Sequence, residues 1–162
     1  MSNPQGNGEV WAGLANLGEA DRERQMEDRY TELASWNEDE RSDQMRSMAA
    51  VEYALPDDKM RPFHLSRLRV WLRMGPEAVR IISASYDAVL DQMPADVALR
   101  RIGLAQSLIK AFSLAEQEQL RSVLPRVFGD RGTAVAGWTP SDAGFPRAPR
   151  AKKALWAFWS HS

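Results

Sequence analysis

The sequence contains no cysteine and only two histidines, His64 and His161. Disulfides, thiolate catalysis and cysteine-bound metals are therefore excluded, and the ligand spacing of a zinc site is missing. His64 follows a Pro-Phe pair where a helix is expected to begin. That place is typical of a capping or partly buried polar group, and we expect neither a metal nor a cofactor.

The motifs of several enzyme classes are also missing. The chain has no G-x-x-x-x-G-K-[ST] loop, no G-x-G-x-x-G turn and no G-x-S-x-G elbow, which cradle phosphates or present a catalytic serine. Pairs of carboxylates at i, i+4 occur without the Glu-x-x-His motifs of di-metal bundles, so we expect them on a solvated face. We predict a protein that is not an enzyme.

Long apolar runs are absent as well. No stretch approaches the roughly 18–20 uninterrupted apolar residues that span a bilayer. Residues 1–21 lack the charged and apolar regions of a secretory signal. We therefore predict a cytoplasmic location, and a peripheral place at the inner face of a membrane is compatible with it.

Charge is distributed unevenly along the chain, although the net charge is only −1. Residues 1–58 carry 14 acidic and 5 basic side chains, whereas residues 59–101 and 102–162 each carry 8 basic and 4 acidic ones. The favoured interpretation is that the acidic part folds against the basic remainder, so that the charges pair internally. The alternative is a two-faced surface whose basic side meets phosphates or lipid headgroups.

Apolar residues recur at helical spacing along the chain, and no segment alternates convincingly as a strand does. A narrow stripe of Met26, Tyr30 and Leu33 predicts a charged, mostly solvent-facing helix over residues 19–34. Further apolar faces follow at residues 65–72, 79–93, 98–112 and 120–127. The face over residues 79–93 is wide enough to predict a central, largely buried helix.

Capping residues mark where helices begin. Asn37 with Glu40, and Ser113 with Glu116, fit the capping-box pattern, in which the first side chain accepts a hydrogen bond from an amide three residues later. We expect a helix to start after each of them.

Prolines and a glycine mark where helices end. Pro56 is predicted to stop one helix, and residues 56–62 are predicted to form a turn. Gly75 suits a left-handed C-terminal cap, and Pro76 suits the first turn of the next helix. Pro125 predicts a kink or an early end of the helix that contains it.

Helices of ordinary length with short connections predict an all-α fold. We expect a compact bundle of five or six helices over residues 19–129, with an N-terminal arm over residues 1–18. An extended basic and aromatic C-terminal arm is expected over residues 130–162, and a short helix is compatible with its end. Both arms are rich in glycine, proline and small polar residues, which is typical of irregular structure.

The C-terminal arm closes on basic residues followed by aromatic rings. Such a series suits anionic headgroups at a membrane interface, and the rings also suit a groove on a partner or on the bundle itself. We therefore predict a non-catalytic accessory or adaptor subunit that docks through its termini onto a larger protein complex, including one at the cytoplasmic face of a membrane. The predicted docking residues are Trp11, Trp138, Phe145, Arg147, Arg150, Lys152, Lys153, Trp156, Phe158 and Trp159.

Two alternative functions remain open from the sequence. An arginine-rich middle predicts a basic face for nucleic-acid phosphates, although the helix after Gly75 is too apolar to lie in a DNA groove. A bundle that holds a small molecule or pigment among Trp71, Tyr86 and Met93 is the other alternative, and ordinary core packing explains the same residues. The predicted basic face consists of Arg67, Arg69, Arg73, Arg80, Arg100 and Arg101.

Overall fold

The computed structural model describes residues 4–128, which form eight α-helices and one 3₁₀ turn. This range contains no β-strand, so the predicted all-α class is confirmed. The helices are α1 Pro4–Ala15, α2 Glu19–Ala34, α3 Glu38–Ala54, α4 Asp57–Arg73, α5 Pro76–Leu90, α6 Ala95–Leu108, α7 Leu114–Val123 and α8 Pro125–Phe128, with the 3₁₀ turn at Ile109–Ala111.

The helices pack around one apolar core to which each of them contributes buried side chains. Helix α3 lies between α1 and α5, and α2 packs against α4 and α5. As predicted, α5 is a central helix, with Val79, Ile82, Tyr86 and Val89 buried. The narrow stripe of α2 is buried too, while most of its charged residues remain outside.

The predicted helix starts are confirmed at Asn37 and at Ser113, and the full capping box forms at Ser113. Asn37 accepts a hydrogen bond from the Glu40 amide at 3.0 Å. Ser113 and Glu116 cap each other reciprocally at 3.3 and 2.8 Å. Helix α7 then ends at Val123, two residues before Pro125, which confirms the predicted early end.

The turn predicted at residues 56–62 is instead the start of a helix. Pro56 is the N-cap of α4, and Asp57 and Asp58 occupy its first turn, where the positive end of the helix dipole favours acids. Met60 is buried and holds this turn against the core. Tertiary packing therefore keeps Pro62 inside a helix, against its own preference.

Gly75 differs from its predicted conformation. Its φ of −60° and ψ of 139° are extended rather than left-handed, and it is the N-cap of α5. Pro76 occupies the first turn of α5 as predicted. Because the two-residue connection belongs to the start of α5 rather than to a left-handed end of α4, any residue could adopt the backbone angles of Gly75.

The segment predicted as an N-terminal arm contains a helix that packs on the bundle. Trp11 and Leu14 of α1 are buried, and the Trp11 ring lies 5.7 Å from the Tyr30 ring. The glycine and asparagine content of this segment favours irregular structure, but burial of a tryptophan outweighs that preference. The predicted C-terminal arm, residues 130–162, lies outside the described residues.

Replacing Pro62 with alanine is expected to stabilise the protein. Pro62 is exposed in the second turn of α4 and cannot donate the helical hydrogen bond to residue 58. Alanine is up to about 3 kcal/mol more favourable in a helix interior, so Pro62→Ala should raise the free energy of unfolding by roughly 1–3 kcal/mol in urea titrations. Pro76→Ala is the control, because a first-turn proline gives up no hydrogen bond; equal effects of the two changes would contradict the argument.

Candidate functional site

Four polar side chains meet in the core of the bundle. Glu52 on α3 is 0% exposed, and His64 and Arg67 on α4 are 2% and 1% exposed. Tyr86 on α5 joins them and is also fully buried. We call these four residues the core polar cluster.

Helical periodicity places Glu52 inside. On α3 the buried residues Met45, Met48, Ala49 and Glu52 follow the i, i+3, i+4, i+7 spacing of one helix face. Glu52 therefore continues an apolar stripe, although its charge alone suggests a surface position.

The same spacing places Arg67 inside. On α4 the buried face runs through Met60, Phe63, His64, Arg67 and Trp71, while the predicted face members Leu65 and Leu72 are half-buried at its edges. Sequence reasoning counted only apolar residues and so missed this cluster. The signal was available: one acid and one base on two otherwise apolar stripes indicate a buried ion pair.

The Glu52 carboxylate is the centre of the cluster. It accepts hydrogen bonds from His64 Nδ1 at 2.8 Å, from the Tyr86 hydroxyl at 2.7 Å and from Arg67 Nη1. Arg67 Nη2 contacts His64 Nδ1 and lies 3.3 Å from His64 Nε2. We assign the Nδ1–H tautomer to His64, because it then donates to Glu52 while Nε2 accepts from Arg67.

The electrostatics of the cluster favour one charged pair and a neutral imidazole. Burial by itself raises the pKa of Glu52, but the Arg67 guanidinium and the His64 hydrogen bond outweigh it and hold that pKa at about 2. Burial and the charge of Arg67 lower the pKa of His64 to about 4, against the opposing effect of Glu52. Near neutral pH, Glu52 is therefore anionic, Arg67 is cationic and His64 is uncharged.

Aromatic rings surround the ion pair. The guanidinium carbons of Arg67 and Arg101 lie 4.6 and 4.8 Å from the centre of the Tyr86 ring, within the range of cation–π attraction. The ring of Trp71 meets that of Tyr86 edge to face at 6.3 Å. Trp71 and Tyr86 pack on each other within the core, and Met93 is half-buried and packs against it. Ordinary core packing, as considered from the sequence, accounts for this arrangement.

The six arginines predicted as a basic face do not share one. Arg67 and Arg101 are buried, and Arg101 pairs with Asp87. Arg80 and Arg100 are exposed on other helices than Arg69 and Arg73. The nucleic-acid alternative therefore loses two of its six proposed contact residues.

Arg69 and Arg73 of α4 pair with acids of α2. Arg69 lies 2.6 Å from Glu19, and Arg73 lies 2.8 Å from Glu23 and 3.2 Å from Glu27. The interpretation that the acidic first part folds against the basic remainder is confirmed for these pairs. An open groove of about 650 Å³ runs along this side of α2, and its walls include Glu23, Glu27 and Arg73.

Of the predicted docking residues, the structure describes only Trp11. Its side chain is fully buried, so it is unavailable to a partner in this conformation. The other predicted docking residues, Trp138, Phe145, Arg147, Arg150, Lys152, Lys153, Trp156, Phe158 and Trp159, lie outside the described residues.

Residues 4–128 contain neither a candidate metal site nor a membrane-spanning helix. In that range, no group of three or more histidine, aspartate or glutamate side chains is placed to hold a metal ion. None of the helices described there combines the length and the hydropathy needed to cross a bilayer.

The arrangement is chemically closed. Every hydrogen bond of the Glu52 carboxylate comes from a neighbouring buried side chain, and the two ring nitrogens of His64 face Glu52 and Arg67. A general acid or base must come within hydrogen-bond reach of its substrate, and at 0% and 2% exposure these groups face only protein. The cluster joins α3 and α4 through one ion pair, and it joins α5 to them through the hydrogen bond from Tyr86 to Glu52.

The comparisons with known proteins add no relative. The chain was compared with protein-family models, with curated proteins and with solved structures, and none of the three gave a match. A functional assignment therefore depends on the chemistry and placement of the residues themselves.

Proposed function

We propose that this protein is a non-catalytic helical accessory or adaptor subunit that binds a larger protein complex through its C-terminal segment. The observation that carries the proposal is the closure of the core polar cluster: Glu52, His64 and Arg67 bond one another inside the bundle, away from solvent. The side chains best suited to acid–base chemistry thus serve the scaffold. The working part of such a protein is its surface and its terminal segment.

The C-terminal segment has the composition of a docking element. Arg147, Arg150, Lys152 and Lys153 precede Trp156, Phe158 and Trp159, and buried tryptophan and arginine residues dominate the energy of many interfaces. Because Trp11 is a core residue, the proposal now rests on this one terminus. The N-terminal segment supports the bundle instead.

The cytoplasmic face of a membrane complex is the location that this composition favours. Basic residues meet anionic headgroups while aromatic rings sit at the interface. At about 1 kcal/mol per basic residue, four of them supply roughly 4 kcal/mol, which corresponds to a Kd on the order of 1 mM. A protein partner must therefore provide most of the affinity.

A capture experiment with matched variants tests the proposal. The full chain and Trp156→Ala/Trp159→Ala are used as bait with gently solubilised membranes and with the soluble fraction. We expect the double variant to lose a defined set of proteins that the wild type retains. The control is Leu114→Ala, which removes the most exposed large apolar side chain of the described bundle, 82% exposed on α7, and should retain them.

The opposite results are equally clear. Retention of the same proteins by the double variant would contradict docking through these rings. Loss of all retained material on addition of moderate salt, accompanied by release of nucleic acid, would favour phosphate binding instead.

A further inference from the structure

Helix α6 carries apolar residues on two opposite sides. One side buries Arg101, Ala105 and Leu108 in the core. Part of the outward side forms a second stripe beside the exposed Asp96 and Arg100. We call this stripe the α6 outer face: Ala95, Leu99, Ile102, Gly103 and Gln106, which follow the i, i+4, i+7, i+8, i+11 spacing. Leu99 is 37% exposed, Ile102 is half-buried, and the other three are exposed.

The α6 outer face differs from the outward face of α2. The outward residues of α2 include Asp21, Arg24, Asp28 and Glu32, as expected of a solvated helix surface. The α6 outer face contains no charged residue. Apolar residues on the outward side of a helix as well as on its buried side are typical of a helix that is covered on both sides.

Gly103 lies in the middle of this face. After proline, glycine is the least favourable residue in a helix interior, and its usual benefit is that another chain can approach the backbone closely. A Cβ atom at Gly103 would meet no other atom within 4 Å. The space in front of the helix backbone at this point is therefore unoccupied by the described bundle.

The described chain ends beside the same face. Helix α8, the last described element, packs against α6, and the side-chain amide of Gln106 donates a hydrogen bond to the Val127 carbonyl at 3.5 Å. The described chain therefore ends next to the α6 outer face.

We propose that the α6 outer face is the docking site for the aromatic residues of the chain's own C-terminal segment, residues 138–159. Trp138 follows Phe128 by 10 residues, which can span up to roughly 33–36 Å. Helix α6 has 14 residues and is about 21 Å long. Trp138 can therefore reach any point of the face, and the later aromatic residues can reach it as well.

Tethering favours this occupant over a separate molecule. A short linker gives the attached segment an effective concentration on the order of 1 mM. A second copy of the chain or another protein at about 1 µM must bind about 1,000-fold more tightly to compete equally. This inference concerns the free protein and does not depend on the proposed partner.

A spin-label experiment on the full chain tests the proposal. Because the sequence has no cysteine, Asp96→Cys can carry a single nitroxide at the exposed edge of the α6 outer face. We expect this label to broaden the indole N–H resonances of one or more of Trp138, Trp156 and Trp159, to the same extent at every protein concentration. The indole signals are assigned by single Trp→Phe changes, and a label at Thr31→Cys, exposed on α2, should leave them sharp.

A second variant separates docking from proximity alone. Leu99→Glu in the Asp96→Cys background places a charge on the face and should restore the broadened signals, whereas Leu114→Glu on α7 should not. Sharp signals with the Asp96 label would overturn the proposal. Equal broadening from the label at Thr31→Cys would also overturn it. The same holds if the label on one chain broadens only the indole signals of other, unlabelled chains, because the contact would then come from a second copy.

Discussion

We expect Arg67→Met to lower the free energy of unfolding by about 3–5 kcal/mol, the usual cost of leaving one partner of a buried ion pair uncompensated. In the wild type, the guanidinium neutralises a carboxylate that is completely removed from water. Without it, the Glu52 carboxylate must stay buried and unpaired or take up a proton. Because domains of this size are stable by only about 5–15 kcal/mol, the change should be plain in urea or thermal unfolding.

A double-mutant cycle identifies the ion pair as the cause. In Glu52→Gln/Arg67→Met both charges are absent. The amide oxygen of glutamine can keep the hydrogen bond from His64, and its NH2 group, in the position of Oε2, can donate to the Tyr86 hydroxyl oxygen. We expect the double variant to be more stable than Arg67→Met alone. Should the single variant fail to fold, a folded double variant gives the same ordering.

Surface arginines provide the matched control. Arg73 is about half exposed and pairs with Glu23 and Glu27, and exposed pairs contribute only about 0–1 kcal/mol. Arg73→Met should therefore change stability far less than Arg67→Met. A similar loss of stability in Arg73→Met and Arg67→Met would contradict the role assigned to the core polar cluster. So would a loss in Glu52→Gln/Arg67→Met equal to the sum of the losses in its two single variants.

We also expect stability to fall between pH 6.5 and pH 4 because of His64. In the unfolded chain its imidazole takes up a proton near its ordinary pKa of 6.5, whereas burial and Arg67 lower the pKa in the fold to about 4. The unfolded state therefore binds more protons in this range, so the stabilisation is complete above pH 6.5 and is lost as pH falls to 4. The difference of about 2.5 units corresponds to about 3 kcal/mol.

Histidine variants separate this effect from other titrations. Urea unfolding at several pH values should show a shallower decline for His64→Gln than for the wild type, because the amide can donate to Glu52 without titrating. His161→Gln, which removes the other histidine, should keep the slope of the wild type. Equal slopes for all three proteins between pH 6.5 and pH 5 would show that His64 titrates normally in the fold.

Below this range a second group contributes. The pKa of Glu52 is about 2 in the fold against 4.5 for the free side chain, so its stabilisation is present above pH 4.5 and is lost as pH falls toward 2. The two groups touch each other, so their contributions are not additive.

The local features of this protein were readable from the sequence alone. Helix α2 and the starts of α3 and α7 follow from apolar spacing and from Asn37 and Ser113, because these signals act within one or two turns of chain. The pairing of acidic and basic parts also followed from charge counts, since opposite charges in one small domain tend to meet.

Only the tertiary structure decided which residues face the core when local signals and packing disagree. The Gly- and Asn-rich start became a helix because the bundle buries Trp11, and residues 57–62 became helical because Met60 has a place in the core. The local sequence pattern predicts a polar surface position for Arg67. It is buried because Glu52 on α3 reaches the same place in the core and pairs with it. A charge is tolerated in the core only where a partner from a distant segment compensates it, and that partner is set by helix packing rather than by neighbouring residues.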